Sequence, residues 1–256
     1  MASRSLRSVV MELLEDGFGR ADRSVFERLV AEDYIQHNPF MPSGRAGLVG
    51  LLEELKHIPD NRFIPLRFLE DGDLVLVHSE WLSGGLKRAV FDLFRLRDGQ
   101  LVEHWDAMQE QPPASTLGRT MVDGPTAVKD LERTADNKAL VARFLDTALV
   151  SGQLGALHGF FDGDRFIQHS PGVEDGVSGF VSHLQALAAR GDRMRYERVH
   201  RVVGEGHFVF AQSEGELGGK RRAFYDLFRV EDGKLAEHWA VHQSIPDTLT
   251  HGNGMF

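Results

Sequence analysis

The sequence places a carboxylate and an imidazole close together in the short segment Glu103-His-Trp-Asp106. If this segment is a β-strand, His104 and Asp106 lie on the same face, because side chains two positions apart point the same way. A carboxylate beside an imidazole in an apolar cavity has a shifted pKa, and such a pair can transfer protons at about pH 7. The chemistry predicted is removal of a proton next to a carbonyl group, followed by ring closure, elimination or double-bond migration.

Three further side chains are candidates for the same cavity. Asp92 lies on the preceding predicted strand, on the face that alternation assigns to the cavity. His78 lies one strand earlier, and His37 lies in the segment Tyr34-Ile-Gln-His-Asn-Pro39. We predict a catalytic set drawn from Asp106, His104, Asp92, His37 and His78. A purely structural role, such as orienting a histidine, is the alternative for Asp92.

The same histidines could instead bind a metal ion. His37, His78 and His104, with Asp92 or Asp106, would offer nitrogen and oxygen ligands suited to Zn, Fe, Mn or Cu. The spacing does not require a metal, since no predicted helix carries an H-x-x-x-H pair. The chain has no cysteine, which excludes thiolate catalysis, and no G-x-G-x-x-G follows a predicted strand. We expect no cofactor, and a divalent metal remains the alternative.

The chain repeats itself. Tyr34–Pro39 recurs as Phe166-Ile-Gln-His-Ser-Pro171, and the segment 91–109 recurs as 225–243 with 11 of 19 positions identical. A period this long indicates duplicated domains and not a solenoid. We predict one domain at 1–111, a linker at 112–125 and a second domain at 126–256, with two residues inserted near Ala188–Arg193.

The first copy shows the pattern of an α+β domain. Apolar residues at helical spacing predict helices at about 8–18, 23–31 and 46–57. Strands are predicted at about 62–69, 74–81, 87–96 and 101–110, with tight turns at Asp71-Gly72 and Asp98-Gly99. Helices followed by an antiparallel meander predict helices packed on one face of the sheet.

These segments resemble the SnoaL-like polyketide-cyclase and aldol-condensation family of the NTF2-like superfamily. The resemblance rests on YIQHNP, the D-L-F-R strand and the strand G-x-L-x-E-H-W-D, and it leaves only the linker and Asp247–Phe256 uncovered. It implies two cone-shaped domains, each with helices on a curved sheet whose concave face forms a pocket. Asp106 matches the acid/base aspartate of that family. Related domains host cyclases, isomerases, dehydratases, epoxide hydrolases and binding proteins, so the resemblance does not define the reaction.

The second copy keeps some candidates and loses others. Those kept are His169, Asp226 and His238, at the positions of His37, Asp92 and His104. Those exchanged are Ala240 for Asp106, Gln212 for His78 and His242 for Met108. The second copy is either a degenerate partner or a different site that uses His238 and His242, and we favour degeneration. The remaining histidines (His57, His158, His183, His200, His207 and His251) have no counterpart and are interpreted as incidental.

Composition limits the partners. A formal net charge of −9 argues against nucleic-acid binding, and no apolar run approaches the roughly 18 residues of a membrane span. The first 19 residues predict an amphipathic helix and not a signal peptide. We therefore expect a cytoplasmic protein with a small-molecule substrate. The resemblance also implies an intrachain pseudo-dimer, with Trp105 and Trp239 at the contact between the copies.

Three functions are consistent with this sequence. The first is a metal-free acid/base enzyme (a cyclase, isomerase or dehydratase) acting on a carbonyl-containing, fairly apolar substrate. The second is a metal-dependent enzyme, and the third is a binding protein without turnover. We favour the first.

Overall fold

The computed structural model describes residues 4–112 and 118–256, which fall into two compact units. Unit 1 runs to Glu110 and also contains Pro246–Phe256, and unit 2 is Gln111–Ile245. This differs from the predicted boundaries, which placed the last segment in the second domain and treated 112–125 as a linker. Residues 113–117 of that linker, including Pro113, lie outside the described residues.

Unit 1 begins with two short helices. Helix α1 is Leu6–Glu12 and continues as a π-helical turn, Leu13–Phe18; α2 is Arg23–Leu29. Each helix has an N-cap, because the side chain of Ser5 accepts from Ser8 N and that of Asp22 accepts from Ser24 N. The remaining elements are β1 (Val30–Gln36), α3 (Arg45–Leu55), β2 (Arg62–Asp71), β3 (Leu74–Ser83), β4 (Leu86–Arg97) and β5 (Gln100–Glu110).

The sheet of unit 1 has the order β1-β5-β4-β3-β2. Strands β2 to β5 form the predicted antiparallel meander. Its last turn is of the expected kind, since Asp98 and Gly99 both have positive φ, 53° and 78°. That combination is typical of a type I′ hairpin turn, in which Asp-Gly is a preferred pair.

Strand β1 was not predicted. The sequence placed a helix over 23–31, but α2 ends at Leu29 and the chain continues as a strand that pairs parallel to β5. The sheet is therefore mixed and not wholly antiparallel. The alternation of buried Tyr34, exposed Ile35 and buried Gln36 is the period-two signal of this strand.

Unit 2 repeats this arrangement. Its helical elements are a 3₁₀ turn (Leu131–Arg133), α4 (Thr134–Phe144) with a π-helical turn (Leu145–Val150), a 3₁₀ helix (Leu154–Gly159) and α5 (Gly176–Ala189). Its strands are β6 (Ile167–Gln168), β7 (Met194–Glu205), β8 (Phe208–Leu217), β9 (Lys220–Glu231) and β10 (Lys234–Ser244). The order β6-β10-β9-β8-β7 matches unit 1, so the described residues form two α+β domains of the same topology.

Each hydrophobic core lies between the helices and one face of its sheet. In unit 1, Phe26 and Leu29 from α2 meet Tyr34, Val77 and Phe94 from the strands. The core of unit 2 is rich in phenylalanine: Phe144, Phe160, Phe161, Phe166, Phe180, Phe224 and Phe228. No helix among the described residues is long and apolar enough to cross a membrane.

Candidate active site

The register of β4 and β5 brings three predicted residues together on the helix-facing side of the sheet of unit 1. Asp92 lies directly opposite Asp106, and Phe94 lies opposite His104. Paired residues of antiparallel strands share a face, so both carboxylates and the imidazole point the same way. Their ligand atoms lie within 4.8 Å of one another. The three residues are buried, at 6–8% exposure.

The ring of His104 is held through both nitrogens. Nδ1 lies 3.0 Å from Gln36 Oε1, and Nε2 lies 3.0 Å from Asp92 Oδ1. Gln36 Oε1 also accepts from the backbone N–H groups of His37 and Asn38, at 2.9 Å each, so this amide oxygen is an acceptor. His104 Nδ1 must therefore carry a proton. The contact of Nε2 with Asp92 joins the imidazole and a carboxyl group in one buried pair.

Asn38 holds Asp106 in a similar way. Its Nδ2 donates to Asp106 Oδ2 at 2.8 Å, while its Oδ1 accepts from the backbone N–H of Phe40 at 2.9 Å. The second bond fixes the orientation of the amide, so the NH₂ group faces the carboxylate. Neither Gln36 nor Asn38 was predicted as a site residue, because both depend on the unpredicted strand β1 and the turn after it.

The environment of Asp106 changes its proton affinity. Burial raises the pKa of Asp106 from 3.8 to about 6, and the nearby charge of Asp92 acts in the same direction. His104 and the hydrogen bond from Asn38 oppose this rise. Asp106 Oδ1 is buried and has no hydrogen-bond partner among the described residues. The carboxylate thus has one positioned oxygen and one available oxygen.

Tyr34 adds a buried hydroxyl to this site. Its side chain is 1% exposed, and burial, with the charges of Asp106 and Asp92, raises its pKa well above 10. Its Oη and Asp92 Oδ2 also have no partner among the described residues. Buried polar atoms normally have a hydrogen-bond partner, either in the protein or in an ordered water. Here a donor and two acceptors are grouped in one place, which suits a small polar group of a ligand.

His78 does not belong to this group, so its prediction as a pocket residue was wrong. It lies opposite Phe91, the neighbour of Asp92, and therefore on the other face of the sheet. Its Nδ1 is 3.0 Å from Arg67 Nη1 in a fully buried contact. Alternation shows which residues of this strand share a face, but it does not show which face that is. The two-residue turn Gly84-Gly85 decides this, because it pairs Ser83 with Leu86 and therefore His78 with Phe91.

His37 also lies on the other face, contrary to the prediction that it reaches over the pocket. Its Nε2 is 2.9 Å from Glu103 Oε1, its Nδ1 is 2.9 Å from Gly254 O, and its ring stacks on Trp105 at 4.9 Å. Arg95 binds Glu103 and places its guanidinium 5.1 Å from the Trp105 ring centroid. His37 thus belongs to a structural cluster on the far face of the sheet.

Unit 2 contains the same far-face cluster. His169 Nε2 lies 2.8 Å from Glu237 Oε1, and its ring stacks on Trp239 at 4.8 Å. Arg229 Nε donates to Glu237 at 2.7 Å. The repeated QH and EHW motifs therefore combine structural residues with the site histidine. Trp105 and Trp239 are both fully buried, and their place at a contact between the copies stays a prediction.

The helix-facing site of unit 2 is a modified version of the first. His238 lies between Gln168 Oε1 at 3.0 Å and Asp226 Oδ1 at 2.9 Å, as His104 does in unit 1. The Tyr196 hydroxyl contacts both oxygens of Asp226 at 3.1 and 3.2 Å. Three positions are exchanged together: Ala240, Ser170 and Phe166 replace Asp106, Asn38 and Tyr34. The histidine–carboxyl pair is retained, but the available carboxylate and its supporting amide are lost.

His242 is the added histidine on this face. It packs edge-on against Phe224 at 5.0 Å, and burial lowers its pKa to about 4 in spite of the nearby carboxylate of Asp226. It is therefore neutral at physiological pH.

A surface cleft of about 670 Å³ in unit 2 is a weaker candidate. Its lining residues include Asp162, Arg165, Arg229 and Glu231, and none of the predicted site residues. These charges are paired, Arg165 with Asp162 and Arg229 with Glu231, at 3.0 Å each. We place the candidate site of this chain in unit 1.

The structure brings together three of the five predicted metal ligands. Asp92, His104 and Asp106 form a group of the described residues that could hold an ion, while His37 and His78 lie on the other face. Both ring nitrogens of His104 are already hydrogen-bonded. A metal at this site would therefore have to displace Asp92 or Gln36 from the imidazole.

Family comparison agrees with this architecture. The model of the SnoaL-like domain matches twice, at residues 10–104 and 141–238. The chain belongs to the SnoaL-like domain family and carries two copies of its domain. No curated protein matches the chain.

Solved structures similar to this chain each correspond to part of it. IdmH from Streptomyces antibioticus, a proposed polyketide cyclase, is 22% identical over 41% of this chain and 93% of its own, with a TM-score of 0.37. A proposed SnoaL-like polyketide cyclase from Jannaschia sp. CCS1 is 20% identical over 43% and 92%, with a TM-score of 0.37. A proposed ketosteroid isomerase from Kribbella flavida is 22% identical over 48% and 91%, with a TM-score of 0.38.

The raised pKa of Asp106 predicts a pH-dependent gain in stability for Asp106→Asn. The stability due to the neutral carboxyl is fully present below pH 3.8 and is lost as the pH rises through about 6. At ~1.4 kcal/mol per pH unit, the ionised group destabilises unit 1 by about 3 kcal/mol at pH 8. We expect Asp106→Asn to recover most of this amount at pH 8 and almost none at pH 4.

Hydrogen exchange of unit 1 amides measures the effect without interference from unit 2. Asp33→Asn, which removes the same charge at an exposed position, is the control. An equal gain in both variants, or a loss for Asp106→Asn at pH 8, would contradict the assigned environment.

The lowered pKa of His242 predicts acid sensitivity in unit 2. Its contribution to stability is fully present above pH 6.5 and is lost as the pH falls through about 4. We expect His242→Met, which introduces the residue of the first copy, to flatten the fall in stability between those values. Hydrogen exchange of unit 2 amides tests this, with His158→Gln at an exposed position as the control. An unchanged slope in His242→Met would show that this histidine is not buried in its neutral form.

Proposed function

We propose that unit 1 is a metal-free acid/base site that removes a proton from carbon next to a carbonyl group. The observation that carries this proposal is the carboxylate of Asp106, which is buried, has a pKa of about 6 and keeps Oδ1 unpartnered. A base with a pKa close to the working pH is largely ionised and still holds a proton strongly enough to be useful.

The residues have separate roles in this step. The C–H bond breaks, its proton goes to Asp106 Oδ1, and the electron pair forms the C=C bond of an enolate. The Tyr34 hydroxyl, which stays protonated because of its raised pKa, donates to the carbonyl oxygen as negative charge develops there. Asn38 holds the other oxygen of Asp106, while Asp92 raises and His104 lowers the pKa of that carboxyl group. Cyclisation, double-bond migration and dehydration can all begin with this enolate.

The walls of the site favour an apolar substrate. Val75, Val77 and Phe94 lie on the face that carries Asp92, His104 and Asp106, and Phe94 stacks on His104 at 4.5 Å. Aliphatic and aromatic walls around a few polar atoms are the usual composition of small-molecule sites.

The differences between the copies support the assignment. Asp106, Asn38 and Tyr34 are exchanged together in unit 2, whereas the histidine, its glutamine and the second aspartate are retained. We expect residues that serve only folding to be retained in both copies, whereas residues that serve one reaction are expected to change together when that reaction is lost. Unit 2 is then a degenerate partner of the active copy.

The proposal predicts exchange of carbon-bound hydrogen by the wild-type protein. In D₂O at pH 7, α-protons of a panel of apolar cyclic and linear ketones should be replaced by deuterium, as followed by NMR. Asp106→Asn should reduce the rate by about 100-fold or more, the usual contribution of a general base, while ligand binding persists. Tyr34→Phe should also slow exchange.

The matched control for this experiment is His78→Gln. It gives β3 the side chain of the second copy, where Gln212 Oε1 accepts from Arg201 at 2.7 Å, and it should leave exchange at the wild-type rate. Exchange that survives in Asp106→Asn would exclude Asp106 as the base. A chain that binds these ketones without any exchange would favour the binding-protein function.

The metal-dependent alternative is tested by metal content. The grouping of Asp92, His104 and Asp106 is the observation in its favour. We expect wild-type protein incubated with Zn, Fe, Mn or Cu and then desalted to retain less than stoichiometric metal by plasma mass spectrometry. About one ion per chain, lost in His104→Ala but kept in His37→Ala, would replace the proposed mechanism with a metal-dependent one.

A further inference from the structure

The segment after β10 lies on the stretch of unit 1 that carries Gln36 and Asn38. Thr250 donates to Pro39 O through both its backbone N–H and its hydroxyl, at 2.9 Å each. His251 Nε2 donates to Asn38 O at 2.8 Å, and Asn253 Nδ2 donates to Gln36 O at 2.9 Å. Three carbonyls within four consecutive residues thus accept from this one segment.

These hydrogen bonds form at the end of β1, where backbone pairing with β5 stops. Strand β1 ends at Gln36, and the last backbone bond to β5 that continues its pairing is His37 N to His104 O at 2.9 Å. Beyond that point Asn38 lies in a turn, although its amide must be placed accurately to reach Asp106. Thr250 and His251 donate hydrogen bonds to the backbone carbonyls of Pro39 and Asn38, as the N–H groups of a neighbouring strand would.

Two cross-links strengthen the arrangement. Asn253 Nδ2 also donates to Ser43 Oγ at 3.1 Å, and Ser43 Oγ itself lies 3.1 Å from Gln36 N. His251 Nδ1 accepts from Asn253 N at 3.3 Å, which assigns the ring proton to Nε2, the atom facing Asn38 O. The segment is therefore internally fixed and does not depend on one contact. His251, interpreted from the sequence as incidental, is part of it.

We propose that Thr250, His251 and Asn253 are positioning residues for the site of unit 1, holding the Gln36–Pro39 backbone so that Asn38 stays bonded to Asp106. The segment follows the last strand of the second copy in the sequence, but it belongs to unit 1 in the structure. The consequence for turnover rests on the proposed function, but the positioning itself does not.

The titration of Asp106 tests this without any substrate. The pKa of this residue is measured by ¹³C-carboxyl NMR in wild type, Asn38→Ala, Asn253→Ala and the triple variant Thr250→Ala/His251→Ala/Asn253→Ala. Because the Asn38 bond stabilises the ionised carboxylate, Asn38→Ala should raise the pKa by about one pH unit. The triple variant should give a similar rise, and Asn253→Ala part of it.

A double-mutant comparison separates positioning from general loosening. Adding the triple change to Asn38→Ala should produce no further shift, since the bond it acts through is already gone. Thr248→Ala, at an exposed position in the same segment, is the control and should leave the titration unchanged.

The possible outcomes are distinct. An unchanged Asp106 pKa in the triple variant, or a further shift on top of Asn38→Ala, would overturn the positioning role. No effect of Asn38→Ala itself would also overturn it, since the proposed connection passes through that side chain. Failure of the deuterium-exchange experiment with these pKa shifts present would count against the proposed function alone.

Discussion

The parallel pairing of β1 with β5 is the constraint on which the rest of the site depends. It sets Gln36 beside His104 and carries Asn38 to Asp106, so that two polar side chains from one short stretch orient the two titratable groups of the next strand. The antiparallel register of β4 and β5 adds Asp92 opposite Asp106. A slip of one residue in either pairing would send these side chains to the far face. The backbone pairing of β1, β4 and β5 therefore determines which side chains meet in the site.

This placement lowers the stability of unit 1 at neutral pH, chiefly through the ionised carboxylate of Asp106. Asp106 shares a buried face with Asp92, where burial and the charge of Asp92 both disfavour ionisation of Asp106. His104 offsets part of this effect, but the pKa of Asp106 is still raised to about 6. On the far face, Glu103 pairs with Arg95 and contacts His37. One sheet thus carries a face with buried, unpartnered carboxylate oxygens and a face on which the carboxylate of Glu103 is paired.

The sequence alone was sufficient for the duplication, the fold class and the shared face of His104, Asp106 and Asp92, because identity between copies and period-two alternation are local signals. It failed where geometry depends on pairing between distant segments. His78 was misplaced because alternation within a strand does not show which of its faces matches a given face of the next strand. That match depends on the register, which the turn between the two strands sets. His37 was misplaced, and Gln36, Asn38 and Tyr34 were overlooked, because β1 was not predicted: the expected helix extended to residue 31, and the rest of the strand was assigned no structure. The role of Thr250–Asn253 lay beyond local signals, since its partners are more than 200 residues away.

Comparison of the two copies then separates folding from chemistry within a single chain. Both units keep the histidine–carboxyl pair and the far-face cluster of His, Glu, Arg and Trp, which indicates that these features belong to the shared SnoaL-like fold. Unit 2 has Phe166 at the position of Tyr34, but it has a different tyrosine near its retained carboxylate. The hydroxyl of Tyr196 contacts both oxygens of Asp226. In unit 2 the hydroxyl satisfies the retained carboxylate instead of facing a ligand, and Ala240 removes the second charge. The carboxylate retained in unit 2 thus has a hydroxyl partner, whereas Asp92 Oδ2, Asp106 Oδ1 and the Tyr34 hydroxyl of unit 1 have no partner among the described residues. This is the physical difference expected between a carboxylate that stabilises the fold and one that is available to a ligand.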